Sequence, residues 1–308
     1  MSQVRCFTNH AIRFVITVAV LLFAFAAVCA QEVKETRPVF ELEGNKIFSR
    51  TELLGTLNAN LDKWTQKGQY GSDLLDYGLH QLDQLMRSRG YLQARMTKGN
   101  VEQTEAGPRM LLTVTEGPLY RVGKTTIDGA RLFSAEQVLN EIGLKTGDIA
   151  NGEKLSNALY ERLKARYGKF GYIQYTAEVE PTFRAEKGAP EGVVDFKITI
   201  EESEQFRIHS IRIAGAERGT TDLLARELMV RDGDVFDDEL FRQSVERMNR
   251  TGIVEPIDTE RDVDFTDLQD KKRQLAYKQR LDNPDVGPPL LDLLIHVKKA
   301  GNSATQQR

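Results

Sequence analysis

The sequence predicts an α+β chain of three tandem repeats, each ordered strand, helix, helix, strand, strand (β-α-α-β-β). Three markers carry this reading. Leu119–Ala130 matches Gln205–Ala216: the apolar or aromatic positions 120, 122 and 127 recur at 206, 208 and 213, and Gly129 recurs as Gly215. An earlier copy, Phe40–Asn45, places Gly44 at 85 residues before Gly129. Gly90-Tyr91-Leu92, Gly171-Tyr172-Ile173 and Gly252-Ile253-Val254 follow one another at intervals of 81, and Gly147-Asp148-Ile149 returns as Gly233-Asp234-Val235 after 86. Independent markers at consistent offsets indicate repetition.

Each repeat opens with a short alternating strand that ends at a glycine, as Phe40 to Gly44 does, because glycine turns where other residues are strained. A helix follows. Ser49-Arg50-Thr51-Glu52 and Ser134-Ala135-Glu136-Gln137 fit the capping box, and Thr220-Thr221-Asp222 is the expected start in the third copy. Leu53, Leu54 and Leu57, then Val138, Leu139 and Ile142, then Leu223, Leu224 and Leu228 form the apolar side. The second helix carries a stripe at helical spacing: Leu75, Leu79, Leu82 and Met86; Leu155, Leu159 and Leu163; Phe241, Val245 and Met248. Gly90, Gly171 and Gly252 end these helices as left-handed residues.

Two strands close each repeat, about 174–183 and 193–201 in the second copy. The last strand carries Met110, Leu112 and Val114 in the first copy and Leu291, Leu293, Ile295 and Val297 in the third. If each element reverses direction, the first and third strands run parallel and the second and third form an antiparallel hairpin. The result is a three-stranded mixed sheet with the third strand in the middle and two helices on one face. The expected bounds are 37–117, 118–203 and 204–300, with an insertion at 266–289 and a flexible tail at 301–308. Within the insertion Asp270–Leu281 has helix-forming composition and 282–289 breaks it; it reads as a surface for an acidic partner or as a mobile hairpin.

Residues 1–30 differ from all that follows. Arg5 and Arg13 precede an apolar run from Phe14 to Val28, and Val28-Cys29-Ala30 has the spacing of a cleavage site, so a secretory signal peptide is expected. An uncleaved anchor and a lipid-bearing Cys29 are the alternatives. Cleavage removes both cysteines, Cys6 and Cys29, and leaves a protein held by packing alone.

The balance of 42 basic and 45 acidic residues argues against nucleic-acid binding. No nucleophile elbow, zinc-binding helix or phosphate-cradling loop occurs. His80, His209 and His296 fall one per repeat at non-equivalent places. Asp262, Asp264, Asp267 and Asp270 lack the central glycine and closing glutamate of a calcium loop, so they read as a solvated loop. Trp64 reads as partly buried in its own repeat or as a partner-facing anchor. No enzymatic activity and no cofactor or metal are expected.

Glu116-Gly117-Pro118-Leu119-Tyr120, the Ile127-Asp128-Gly129 turn, the Gly147-Asp148 step and the closing Gly171-Tyr172 together resemble the POTRA (polypeptide-transport-associated) domains of BamA-type outer-membrane assembly factors. The resemblance covers about residues 37–300, and the first repeat lacks the Gly-Asp step. Family members usually add a C-terminal outer-membrane barrel; eight residues follow Ala300, so no barrel is expected here. The resemblance implies a periplasmic scaffold, peripheral to the outer membrane. It would bind unfolded outer-membrane polypeptides or assembly-machine components, including an outer-membrane barrel protein. The alternative is a membrane-anchored cell-division protein of the FtsQ type; a periplasmic enzyme is a further rival. The implied mechanism is strand addition at a sheet edge. The expected edge is Tyr175, Thr176, Ala177, Glu178 and Val179, with 257–265 as its counterpart in the third repeat. Gly44, Gly129, Gly215, Gly90, Gly171 and Gly252 are the expected structural turns.

Overall fold

The computed structural model describes residues 37–64, 72–186, 188–270, 272 and 289–300. The signal-peptide reading, most of the 266–289 insertion, the tail and the Trp64 side chain lie outside what is described. Two compact units result. The first comprises residues up to Asp83 together with Arg95–Thr115, and the second comprises Gln84–Ala94 and the chain from Glu116 onward.

The first unit contains β1 (Val39–Glu43), α1 (Arg50–Trp64), most of α2 (Ser72–Ser88), β2 (Arg95–Thr104) and β3 (Gly107–Thr115). Its sheet order is β1-β3-β2, with β1 parallel and β2 antiparallel to the central strand. The Glu52 amide donates to Ser49 Oγ at 3.2 Å, so Ser49 caps α1 as the sequence predicts. Leu53, Leu57, Leu75, Leu79 and Leu82 are buried. Burial of this stripe, rather than helix propensity, holds short helices in place.

The second unit contains two further copies. The first has β4 (Leu119–Asp128), α3 (Ala135–Ile142), α4, β5 (Thr176–Arg184) and β6 (Glu191–Glu201). Helix α4 joins an α-helical stretch Gly152–Asn157, a π-helical turn Ala158–Leu163 and a final stretch Lys164–Gly168. The other copy has β7 (Arg207–Ala214), α5 (Arg218–Ala225), α6 (Asp238–Arg250), β8 (Val263–Asp267) and β9 (Leu290–His296). The sheets are ordered β4-β6-β5 and β7-β9-β8, parallel on the first side and antiparallel on the second. Each copy has its own core. One is built on Tyr120, Val138, Leu159, Tyr167 and Ile198. The other is built on Phe206, Leu224, Phe241, Met248 and Leu293.

Gly44, Gly129 and Gly215 occupy one equivalent place. All have positive φ, and an added Cβ would lie 2.4 Å from the Val114 carbonyl oxygen, 2.2 Å from that of Ile200 and 2.2 Å from that of Val297. The end of the first strand therefore passes over the end of the third with room for hydrogen only. Gly90, Gly171 and Gly252 also have positive φ after the second helices.

Three local expectations change. Helix α5 starts at Arg218 with Glu217 as its N-cap and no side-chain cap bond, so Thr220-Thr221-Asp222 lie inside the helix rather than before it. The second strand of the third copy runs Val263–Asp267, not 257–265. Asp262 accepts from the Asp258 amide at 2.9 Å and pairs with Arg261, which turns the chain just before the strand. Consequently Asp264 and Asp267 belong to a strand, Asp270 is helical, and of the four only Asp262 lies in a loop.

Candidate functional site

Each sheet has two outer strands, and in the second unit the chain treats them differently. The outer side of β4 is covered by its own repeat. Val122 N–H donates to the Asp148 carbonyl at 2.8 Å, the Gly147 amide donates back to Val122 at 2.7 Å, and the Ala150 amide reaches the Tyr120 carbonyl at 2.9 Å. The same set recurs on β7: Ile208 to Asp234, Gly233 to Ile208 and Phe236 to Phe206, at 2.9, 2.8 and 2.9 Å. The Gly-Asp marker builds this cover. Asp148 accepts from the Lys145 amide and Asp234 from the Arg231 amide, both at 2.9 Å, which closes the turn. Gly147 and Gly233 supply the φ values of +90° and +88° that the turn needs.

The first strand is also tied backward. The Phe206 amide donates to the Gly171 carbonyl, and the Tyr120 amide to the Gly90 carbonyl, each at 2.9 Å. A Cβ on Gly171 would lie 2.8 Å from the Phe206 carbonyl oxygen, so this glycine serves the contact as well as the turn.

Strands β5 and β8 form the other outer edges. Backbone groups along a strand alternate between its two sides. On β5 the Ala177 carbonyl accepts from the Tyr160 hydroxyl at 3.1 Å, and Pro181 has no N–H. This places the backbone groups of Ala177, Val179, Pro181 and Phe183 outward, while the side chains of Ala177, Val179 and Phe183 pack against the core, and it turns the backbone groups of Thr176, Glu178 and Glu180 toward β6. Of the expected edge residues, Tyr175 is buried and stacked on Tyr167 with ring centroids 4.4 Å apart. Burial pushes the Tyr175 hydroxyl well above the ordinary phenol range. Tyr160 reaches the edge from the π-helical turn of α4, a feature periodicity does not reveal.

On β8 the His296 amide donates to the Asp262 carbonyl at 2.8 Å and the Leu268 amide to the Leu290 carbonyl at 2.9 Å. Even-numbered residues therefore face β9, while Val263 and Phe265 turn their N–H and C=O groups outward.

Glu202 is a buried acidic group that pins a loop. Its Oε1 accepts from the Arg131 and Leu132 amides at 2.6 and 2.8 Å and from the Tyr167 hydroxyl at 2.8 Å. Burial first, then this bond, raise the Tyr167 hydroxyl. Two polar clusters bear on the enzyme reading. His209 Nδ1 and Ser210 Oγ both bond Asp292 Oδ1, at 2.8 and 2.7 Å, so the carboxylate takes the serine rather than a histidine base. The serine, histidine and arginine partners draw the Asp292 carboxyl below its usual range, the serine bond contributing most. His296 pairs with Asp264 at 2.8 Å. Among the described residues no group of three His, Cys, Asp or Glu side chains is placed to hold a metal ion, and no helix is long and apolar enough to cross a membrane.

The sequence profile of the POTRA family, described as "Surface antigen variable number repeat", matches residues 120–203 and 206–278, together just over half of the chain. The chain belongs to the POTRA family. Among curated proteins, the outer membrane protein assembly factor BamA of Nitratidesulfovibrio vulgaris is 27% identical over 227 residues, covering 71% of this chain and 28% of that one. A putative outer membrane protein assembly factor of Treponema pallidum is 28% identical over 215 residues, covering 68% and 25%. The POTRA chain thus spans about a quarter of the length of these relatives. Among solved structures, POTRA domains 3–5 of Haemophilus influenzae BamA share the fold. The TM-score is 0.59 at 14% identity, over 88% of this chain and 100% of that one.

Proposed function

We propose that this POTRA chain is a periplasmic scaffold for outer-membrane protein assembly that takes up extended polypeptide segments by strand addition. The single observation behind this reading is the asymmetry of the sheets. The repeat's own Gly-Asp turn occupies the outer side of β4 and β7, whereas β5 and β8 direct backbone groups away from the sheet. Recognition through backbone hydrogen bonds tolerates many sequences, as a handler of unfolded outer-membrane polypeptides requires. The names of the relatives favour assembly over the cell-division alternative. The clients, and other assembly-machine components as partners, belong to the same proposal, as does binding without chemistry.

Photo-crosslinkers placed at Glu178 on β5 and Asp264 on β8, with Glu136 and Arg218 on helices as controls, test this reading. A urea-denatured outer-membrane barrel polypeptide diluted into the full chain should crosslink at the strand positions and not at the helices. Equal yields at all four positions would overturn the reading.

A further inference from the structure

Aligned through Val114, Ile200 and Val297, whose carbonyls meet the three equivalent glycines, the edges of the three repeats differ at one register position. Opposite Met110 stands Val101, immediately after a bulge between Lys98 and Val101. Opposite Phe196 stands Pro181, and opposite Leu293 stands Phe265. Bulges and prolines are the usual means of blunting an edge. The first edge is thus interrupted by a bulge, and the second by a proline and the Tyr160 hydroxyl. The third offers an N–H and an aromatic ring at that place.

Phe265 does not stand alone. Its ring packs edge-on against Phe241 and Phe236, with centroids 5.7 and 6.0 Å away and interplanar angles of 74° and 80°. Phe236 and Phe241 are almost fully buried, but Phe265 is 43% exposed. The three rings form the floor of a cavity of about 390 Å³. One wall comes from the preceding repeat, through Lys164, Gly168 and Ile173. That volume is near the lower end for ligand sites and suits one or two side chains. Val263 and Phe265 of β8 line this cavity directly. A strand laid alongside β8, about 4.8 Å away, would direct the residue opposite Phe265 to the same face as the Phe265 side chain. Strand β8 has only five residues, so added backbone bonds are few; a side chain in the cavity supplies the missing anchor. Strand β8 itself carries Asp264 and Asp267 and no basic residue, which favours basic neighbours on the incoming strand.

We infer that the β8 edge and the phenylalanine-floored cavity are one site, which takes an extended polypeptide carrying a bulky apolar side chain flanked by basic residues. The inference rests on the strand-addition reading and goes further by naming the edge and the side-chain class. The occupant touches two repeats, Lys164–Ile173 and Phe236–Phe265, so binding is confined to a chain in which both are folded.

The test uses the full chain and a fluorescent, end-blocked peptide Ser-Thr-Lys-Phe-Lys-Thr-Ser, read by anisotropy. Three comparisons are made: the peptide with Phe replaced by Ala, the peptide N-methylated at Phe, and the Phe265→Ala protein checked by circular dichroism. Each should bind at least tenfold more weakly than the parent pair. If N-methylation weakens binding but the Ala peptide binds as tightly as the Phe peptide, the cavity has no role and this inference fails while strand addition stands. If N-methylation has no effect, strand addition itself fails. Absence of binding by the parent peptide overturns the proposed site. The Ala peptide decides the matter without any change to the protein, should Phe265→Ala not fold.

Discussion

Replacing Gly129 by Ala should destabilise the second repeat far more than replacing Gly147 by Ala. Both residues have positive φ, +81° and +90°. An L-residue there costs about 1–2 kcal/mol in either case. The difference lies in space. A Cβ at Gly147 has no heavy atom within 4 Å, whereas a Cβ at Gly129 would lie 2.2 Å from the Ile200 carbonyl oxygen. That oxygen belongs to the central strand, so relief requires moving backbone, and overpacking of this kind costs about 1–3 kcal/mol more. Gly129→Ala should therefore cost about 4 kcal/mol and Gly147→Ala about 1–2. For a unit of this size the gap corresponds to roughly 10 °C in midpoint. Near-ultraviolet circular dichroism during urea or thermal unfolding reads this repeat well, because five of the nine tyrosines fall between 118 and 203. Equal losses for the two variants would refute the claim that the first strand must pass over the third without a side chain.

Three other outcomes follow from the same geometry. Glu202→Ala strands two amides and the Tyr167 hydroxyl, and should cost about 3 kcal/mol, with Glu202→Gln costing less; urea midpoints of the two variants decide it. Tyr160→Phe removes a half-exposed cap on the Ala177 carbonyl, so it should cost less than about 1 kcal/mol while raising the crosslinking yield at Glu178. Tyr167 and Tyr175 are both raised, mainly by burial, which favours their neutral forms in the folded state. Their contribution is complete below the unfolded phenol value near 10 and falls as pH rises through the folded values, so urea midpoints should drop above about pH 10. A midpoint unchanged from pH 8 to about 11.5 would contradict it.

The repeat was legible in the sequence because its markers are forced by geometry. At Gly129 and Gly215 an added Cβ would lie 2.2 Å from a central-strand carbonyl oxygen, so any other residue is costly and the glycine recurs. The apolar stripe from Leu155 to Leu163 is likewise dictated by its burial against a sheet. The second strand as the edge was legible; which of its residues turn their backbone groups outward was less so. Whether Thr176 or Ala177 turns its N–H outward depends on the register of β5 against β6; Pro181, which has no N–H to give the ladder, is the one side chain that encodes that parity, and it does so only once the bounds of the strand are known. The Tyr160 cap arises from a π-helical turn within an unbroken helical pattern. The start of β8 was obscured because Ile257 and Val263 both look like strand residues. Only the Asp258–Asp262 turn between them separates loop from strand. The Phe236, Phe241 and Phe265 cluster is dispersed over 30 positions and is assembled by the fold.

Strand addition is tested most directly by amide-resolved hydrogen exchange on the full chain, free and saturated with a denatured outer-membrane barrel polypeptide. Exchange should slow at Val263 and Phe265, whose amides face outward, and change little at Asp264 and Thr266, which already face β9. Saturation with the polypeptide while Val263, Phe265 and Val179 all exchange at their free rates would contradict it.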